Sequence, residues 1–170
     1  MSLAIKRHRF TVDQYHRMGE AGILDEDVEL LGGEIIVRDP IGSYHAGTVN
    51  RLNRLWTSRL GDRAVVQVQN PIELAAEDSE PQPDVTVLRP RADFYTTAHP
   101  RAADVLLVIE VAETTVRLDR SLVDLTAARV AVHHEPTARG YRDVRVLTGD
   151  ASVVAIAFPD LTIDLVDVLG

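Results

Sequence analysis

The sequence predicts an α/β (α+β) fold in which a short helix, an N-terminal β-hairpin and a longer helix precede a chain that is mainly sheet. Three observations predict it. Apolar residues recur at helical spacing between Tyr44 and Leu60, and two alternating apolar runs are joined by Gly32-Gly33. The remainder divides into strand-length apolar runs separated by proline, glycine and acidic loops.

The elements follow in order. Thr11, with Gln14 three residues on, has the pattern of a capping box, and a helix is expected to about Glu20, where Gly22 stops it. Val28-Glu29-Leu30-Leu31 and Glu34-Ile35-Ile36-Val37 flank the glycine pair as a hairpin. A loop with Pro40 and Gly42 leads to the second helix, whose Ala46, Val49, Leu52, Leu55, Trp56 and Leu60 share a face, with Gly61 as terminator. Ala64–Asn70 alternates as a strand, with Pro71–Leu74 as a candidate continuation along an edge. Later strands are expected at Asp84–Leu88, Asp104–Val111, Arg129–His134, Tyr141–Leu147, Val153–Ala157 and Leu161–Val166. Only ten residues separate Val111 from Leu122, short for a parallel crossover, so these strands are antiparallel, or Leu122 lies in a loop, or a segment is absent.

The chain of 170 residues is expected to form one domain, residues 1–170, with a buried core. No apolar run is long enough to cross a bilayer as a helix, and Met1–Phe10 lacks the apolar stretch of a secretory signal. The absence of cysteine excludes disulfides and thiolate zinc sites and fits a reducing compartment, so a cytoplasmic location is expected. A net charge of −8 should repel nucleic acid unless basic charge is clustered or metal ions offset the acid.

Two carboxylates stand where an unpaired charge is expensive. Asp84 follows Pro83 at the start of an apolar strand, and Glu110 ends the run Val105–Ile109. Strands adjacent in sequence usually pair, which would bring both acids to one hard divalent cation able to orient water and stabilise charge on a phosphate. The alternative places Asp84 at a solvated strand end and pairs Glu110 with an arginine. Glu29 could add a carboxylate, or simply face outward from its hairpin strand. His45 could be an acid–base group or a phosphate contact, against a structural or solvated histidine. Arg51, Arg54 and Arg59 could meet a phosphate backbone, or form the wet face of an amphipathic helix. His133-His134 are neighbours on a strand, cannot face one ion, and are read as surface residues.

The ordered pieces "VELLGGEI", "PIGSYHAGTVNRLNRLW", "VVQVQNPIEL", "PQPDVTVLRPR" and "DVLLVIEVAETT" resemble the Uma-two family of restriction-endonuclease-like proteins, from about Phe10 to Arg120 and again over Leu122–Gly170. That family is similar to the PD-(D/E)XK nucleases. The resemblance implies a restriction-endonuclease-like core, a central mixed β-sheet flanked by helices. It matches Pro83-Asp84 to the PD element, Glu110 to the second acid, Glu29 to the hairpin acid and His45 to the histidine opening the next helix. It further implies Mg²⁺ or Mn²⁺ held by Asp84, Glu110 and the carbonyl of Val111, with DNA phosphodiester hydrolysis as the activity. DNA is then the partner, contacted by Arg51, Arg54 and Arg59, and a homodimer fits the cutting of two strands.

The departure is the lysine. Position 112 is alanine, and Lys6 is the only lysine in the chain. Family members commonly carry the lysine on a helix after the second acidic strand, where Ser121 here runs directly into Leu122. A segment missing between Ser121 and Leu122 is expected, a true deletion being the alternative. Two other readings stand beside the nuclease: a non-catalytic binding domain of the same fold, and a hydrolase of a smaller phosphate-containing substrate.

Overall fold

The computed structural model describes residues 7–24, 27–112, 123–124, 129–137, 140–148, 152–154, 157–164 and 166–167. The junction between Ser121 and Leu122 lies outside them, as do the side chains of residues 112–151, including His133 and His134.

Helix α1 (Val12–Glu20) starts at a complete capping box: the Gln14 N–H donates to Thr11 Oγ1 and the Thr11 N–H to Gln14 Oε1. Its inner face, Val12 and Tyr15, packs on Val28 and Leu30 of the hairpin formed by β1 (Val28–Leu31) and β2 (Glu34–Val37). Gly32 and Gly33 both have positive φ, 56° and 77°, as a tight hairpin turn requires. At Gly33 a Cβ would also stand 2.7 Å from Cβ of Arg9, so the position excludes larger residues on two counts.

Helix α2 (Ser43–Leu60) is followed by β3 (Val65–Val68), β4 (Val85–Leu88) and β5 (Val105–Ile109). After them come β6 (Val111–Ala112), β7 (Val123–Asp124), β8 (Arg129–Thr137), β9 (Gly140–Thr148), β10 (Ser152–Val154) and β11 (Thr162–Asp164). Among the described residues the main sheet has the order β3-β4-β5-β8-β7-β6, with β9 beside β8; β1–β2 and β10–β11 are separate antiparallel pairs. Every pairing in the main sheet is antiparallel except β6–β7. The sheet is therefore mixed.

That parallel pair departs from the antiparallel option. It holds two residues on each strand, Val111 with Val123 and Ala112 with Asp124. Pro71–Leu74 does not extend β3 either. Gln69, at φ 49°, turns the chain out of the strand, and Glu73 and Leu74 make isolated bridges to Arg101 and Ser79.

Strand β4 is buried at all four positions, as expected of an apolar strand covered on both faces. On one side Val49, Leu52, Trp56 and Leu60 of α2 pack with Val85, Val87, Leu107, Ile109 and Val111. On the other, the irregular segments bearing Ile72 and Tyr95 cover Leu88, Val105 and Val108. Within β4, Thr86 is 1% exposed and its hydroxyl has no hydrogen-bond partner among the described residues.

The β4–β5 connection is stiffened by Asp93, which accepts from Arg91 Nε at 2.5 Å, Arg91 Nη2 at 3.0 Å, Thr97 Oγ1 at 2.7 Å and the Tyr95 N–H at 3.3 Å. The Arg91 guanidinium also stacks 4.0 Å from the Tyr95 ring. These contacts hold Phe94 and Tyr95 at positive φ, 49° and 62°, where bulky residues are strained.

Candidate active site

The β4–β5 register sets the site. Val85 faces Ile109, so the next position on each strand brings Asp84 opposite Glu110. Strand β5 stops at Ile109, and Glu110 occupies the break before β6. The Asp84 N–H donates to Glu110 Oε2 at 3.2 Å, and the Val111 N–H donates to Asp84 Oδ2 at 2.7 Å. Each acid is thus fixed by the backbone of the other's strand.

Asp84 is 6% exposed. Its Oδ1 lies 2.9 Å from Nε2 of buried His45, in the first turn of α2, and accepts from Gln69 Nε2 at 3.3 Å. The contact joins an imidazole nitrogen to a carboxylate oxygen, a pairing in which Nε2 donates when it bears the ring hydrogen. Glu29 approaches from the hairpin. Val28 and Leu30 are buried against α1, so the intervening Glu29 points to the other face, where its Oε2 accepts the Gln82 N–H at 3.0 Å. The Gln82 side chain in turn donates to the Val28 carbonyl and accepts from Arg38.

Crowded negative charge dominates the electrostatics. Burial pushes the Glu110 carboxyl well above the usual carboxylate range; the neighbouring Asp84 charge adds to this, the Asp84 N–H opposes it, and Glu29 raises it further. Among the described residues no arginine pairs with Asp84 or Glu110, so the pairing of Glu110 with an arginine is not the arrangement found.

The donor set fits a hard cation. Asp84 and Glu110 offer carboxylate oxygens with lone pairs beyond their hydrogen bonds, and the crowding that raises Glu110 is what a positive ion relieves. Among the described residues, however, no three His, Cys, Asp or Glu side chains gather closely enough to hold an ion by themselves. A set of two carboxylates leaves waters or other oxygens to complete the shell of such an ion.

The helix arginines are not collected at this seat. Arg54 is nine residues from His45, half a turn away in angle, and faces solvent. Arg59 lies about 21 Å farther along the axis than His45 by helical rise, and it donates to the Thr162 carbonyl and to Asp167 Oδ2. Arg51 is exposed on the same helix. For Arg59 the structure matches the alternative of a helix arginine paired with surface acid.

Against known proteins, the family described as "Uma2: Putative restriction endonuclease" matches residues 12–122. The chain belongs to the Uma2 family. Its fold is also that of a crystal structure described as "a putative nuclease belonging to DUF820" from Anabaena variabilis ATCC 29413, with a TM-score of 0.66 and 16% identity over 94% of this chain and 97% of that one. No curated protein matches. The Uma2 match spans the hairpin, α2, β3, β4 and β5, and so includes every residue gathered around Asp84. Among the described residues no helix is long and apolar enough to cross a membrane.

Two residues that the sequence reading passed over touch these carboxylates, Gln69 and Gln82. Gln82 carried a signal, because it stands inside the Pro81-Gln82-Pro83-Asp84 run. Gln69 carried only its place at a strand end before Asn70-Pro71.

Proposed function

We propose that this Uma2 protein is a metal-dependent phosphodiester hydrolase acting on DNA, with Asp84 and Glu110 as its metal-binding carboxylates. The observation that supports this most is the facing of two acids on paired strands, with Glu110 forced above its normal pKa by burial and by Asp84. Mg²⁺ or Mn²⁺ bound there, with the Val111 carbonyl as a further ligand, would supply Lewis acidity toward a phosphate oxygen and a bound water.

The chain's own residues prepare that seat. The Val111 N–H and His45 hold the two oxygens of Asp84 in fixed directions. The Asp84 N–H holds one oxygen of Glu110, leaving the other for an ion. Glu29, tethered by Gln82, stands on the hairpin side, where a carboxylate can accept a hydrogen bond from a water and orient it. In place of a lysine, the neutral Gln69 amide donates to Asp84 Oδ1 and the His45 imidazole stands against the same oxygen.

DNA as substrate must overcome the net charge of −8, which a divalent ion would offset at the seat, while Arg51 and Arg54 are exposed elsewhere on α2. The ties of Arg59 to the C-terminal segment favour, as a second reading, a smaller phosphate-containing substrate that needs no long basic track. Purified protein is incubated with supercoiled plasmid and Mg²⁺ or Mn²⁺, beside Asp84→Asn. Metal-dependent nicking lost in the variant supports the proposal. Nicking that survives it removes the assigned site, and metal binding without nicking leaves a phosphate hydrolase or a binding domain.

A further inference from the structure

Gln69 sits in a conformation that its residue type does not favour. Its φ is 49°, in the left-handed region where glycine and asparagine are the low-cost choices. The backbone there is turned by its surroundings. By extension of the pairing of Val68 with Val85, Gln69 falls opposite Asp84, and its N–H reaches the Pro83 carbonyl at 3.0 Å and the Asp84 carbonyl at 3.2 Å. Glycine would make the same backbone bonds without strain.

Glycine could not make the side-chain contact. The Gln69 amide donates to Asp84 Oδ1 at 3.3 Å, beside the bond from His45. Asparagine tolerates this φ better but is one methylene shorter, with its amide drawn back from Asp84. The residue present is therefore a poor one for the turn and the right length for the carboxylate.

We infer that Gln69 is a positioning residue, held in a strained backbone so that its amide, with the His45 imidazole, fixes Asp84 Oδ1 for a divalent cation. This rests on the proposed function for the cation and on the strained turn for the rest. A neutral amide suits the task. It orients the carboxylate without a full positive charge that would compete with the ion, as outer hydrogen-bond partners of metal ligands commonly do.

The test sets stability against binding. The metal-free melting temperature and the Mn²⁺ dissociation constant, read from the electron paramagnetic resonance of the free ion, are measured for wild type, Gln69→Gly and Gln69→Asn. Both variants are expected to melt at or above wild type, with a gain of roughly 2–4 °C from released strain. Both are expected to bind Mn²⁺ about 10-fold more weakly. A residue that merely builds the fold would lower the melting temperature, and that result overturns the inference. Unchanged Mn²⁺ affinity in both variants overturns it while leaving the proposed function standing. A wild-type protein that binds no Mn²⁺ overturns both.

Discussion

At one end of the β4–β5 pair, Asp84 and Glu110 crowd together with no arginine between them among the described residues, whereas at the other Asp93 is ringed by donors. The consequences are opposite. Burial and the Asp84 charge drive Glu110 up, while Arg91, Thr97 and the Tyr95 N–H pull Asp93 far below the usual carboxylate range. Both ends hold non-glycine residues at positive φ, Gln69 at the first and Phe94 and Tyr95 at the second. What separates them is closure. The Asp93 loop meets its charge with a guanidinium of its own, whereas among the described residues neither arginine nor lysine stands against the Asp84–Glu110 pair.

The largest effect expected from this contrast is on chemistry. Asp84→Asn or Glu110→Gln should each reduce plasmid nicking by at least about 10²-fold, the scale on which removal of one electrostatic group slows an enzyme. Asp93→Asn should leave nicking unchanged and lower the melting temperature. Equal loss of activity from Asp93→Asn would dissolve the distinction between the two ends.

The pH dependences should have opposite signs. Between the unfolded carboxylate value of about 4.3 and its raised folded value, Glu110 keeps a proton in the native chain that the unfolded chain has lost. Stability from this group therefore falls as pH rises through that window. Asp93 behaves in reverse. Its contribution is present above the unfolded value of about 3.9 and is lost as pH falls toward its depressed folded one. Chemical denaturation across pH should show the first slope vanish in Glu110→Gln and the second in Asp93→Asn. Mn²⁺ should raise the melting temperature of wild type and lose that effect in Glu110→Gln, with chelator restoring the metal-free value.

Between the two ends lies a smaller effect. Thr86→Val removes a buried hydroxyl that has no partner among the described residues while keeping its shape, and should stabilise the protein by about 1 kcal/mol in urea unfolding. The smallest is expected at Arg54, exposed and half a turn from the His45 face. Arg54→Ala should change stability by less than about 0.5 kcal/mol, and any effect should appear as weaker DNA association at low salt.

Where the deciding interactions are local, the sequence was readable. Thr11 and Gln14 lie three residues apart, Gly32-Gly33 completes its turn alone, and α2 advertises its buried face through periodicity. The meeting of Asp84 with Glu110 was readable for a related reason, because neighbouring strands pair and leave little freedom of register. Their roles toward metal are a different matter, and rest on experiment. Less readable was whatever depends on how an edge strand ends. Gln69 reaches Asp84 only because the chain leaves β3 at that residue, and no periodicity announces a left-handed glutamine. The β6–β7 pair was hidden likewise, since two-residue strands have almost no pattern. The arginines of α2 looked like one cluster in sequence, but helical geometry spreads them around and along the axis.

The separations in chain that close the site also order its formation. His45 and Asp84 are 39 residues apart, Glu29 and Gln82 are 53, and Asp84 and Glu110 are 26. Each closure spends loop entropy before it returns any contact energy, so such contacts tend to form late. The capped helix and the glycine-turn hairpin have short-range contacts and can form early. Glu29 and His45 leave the ribosome well before Asp84, and Glu110 follows later still. Until the sheet closes over α2 the acids remain apart in water, Glu110 lacks the burial that raises it, and a partly made chain has no facing pair of carboxylates.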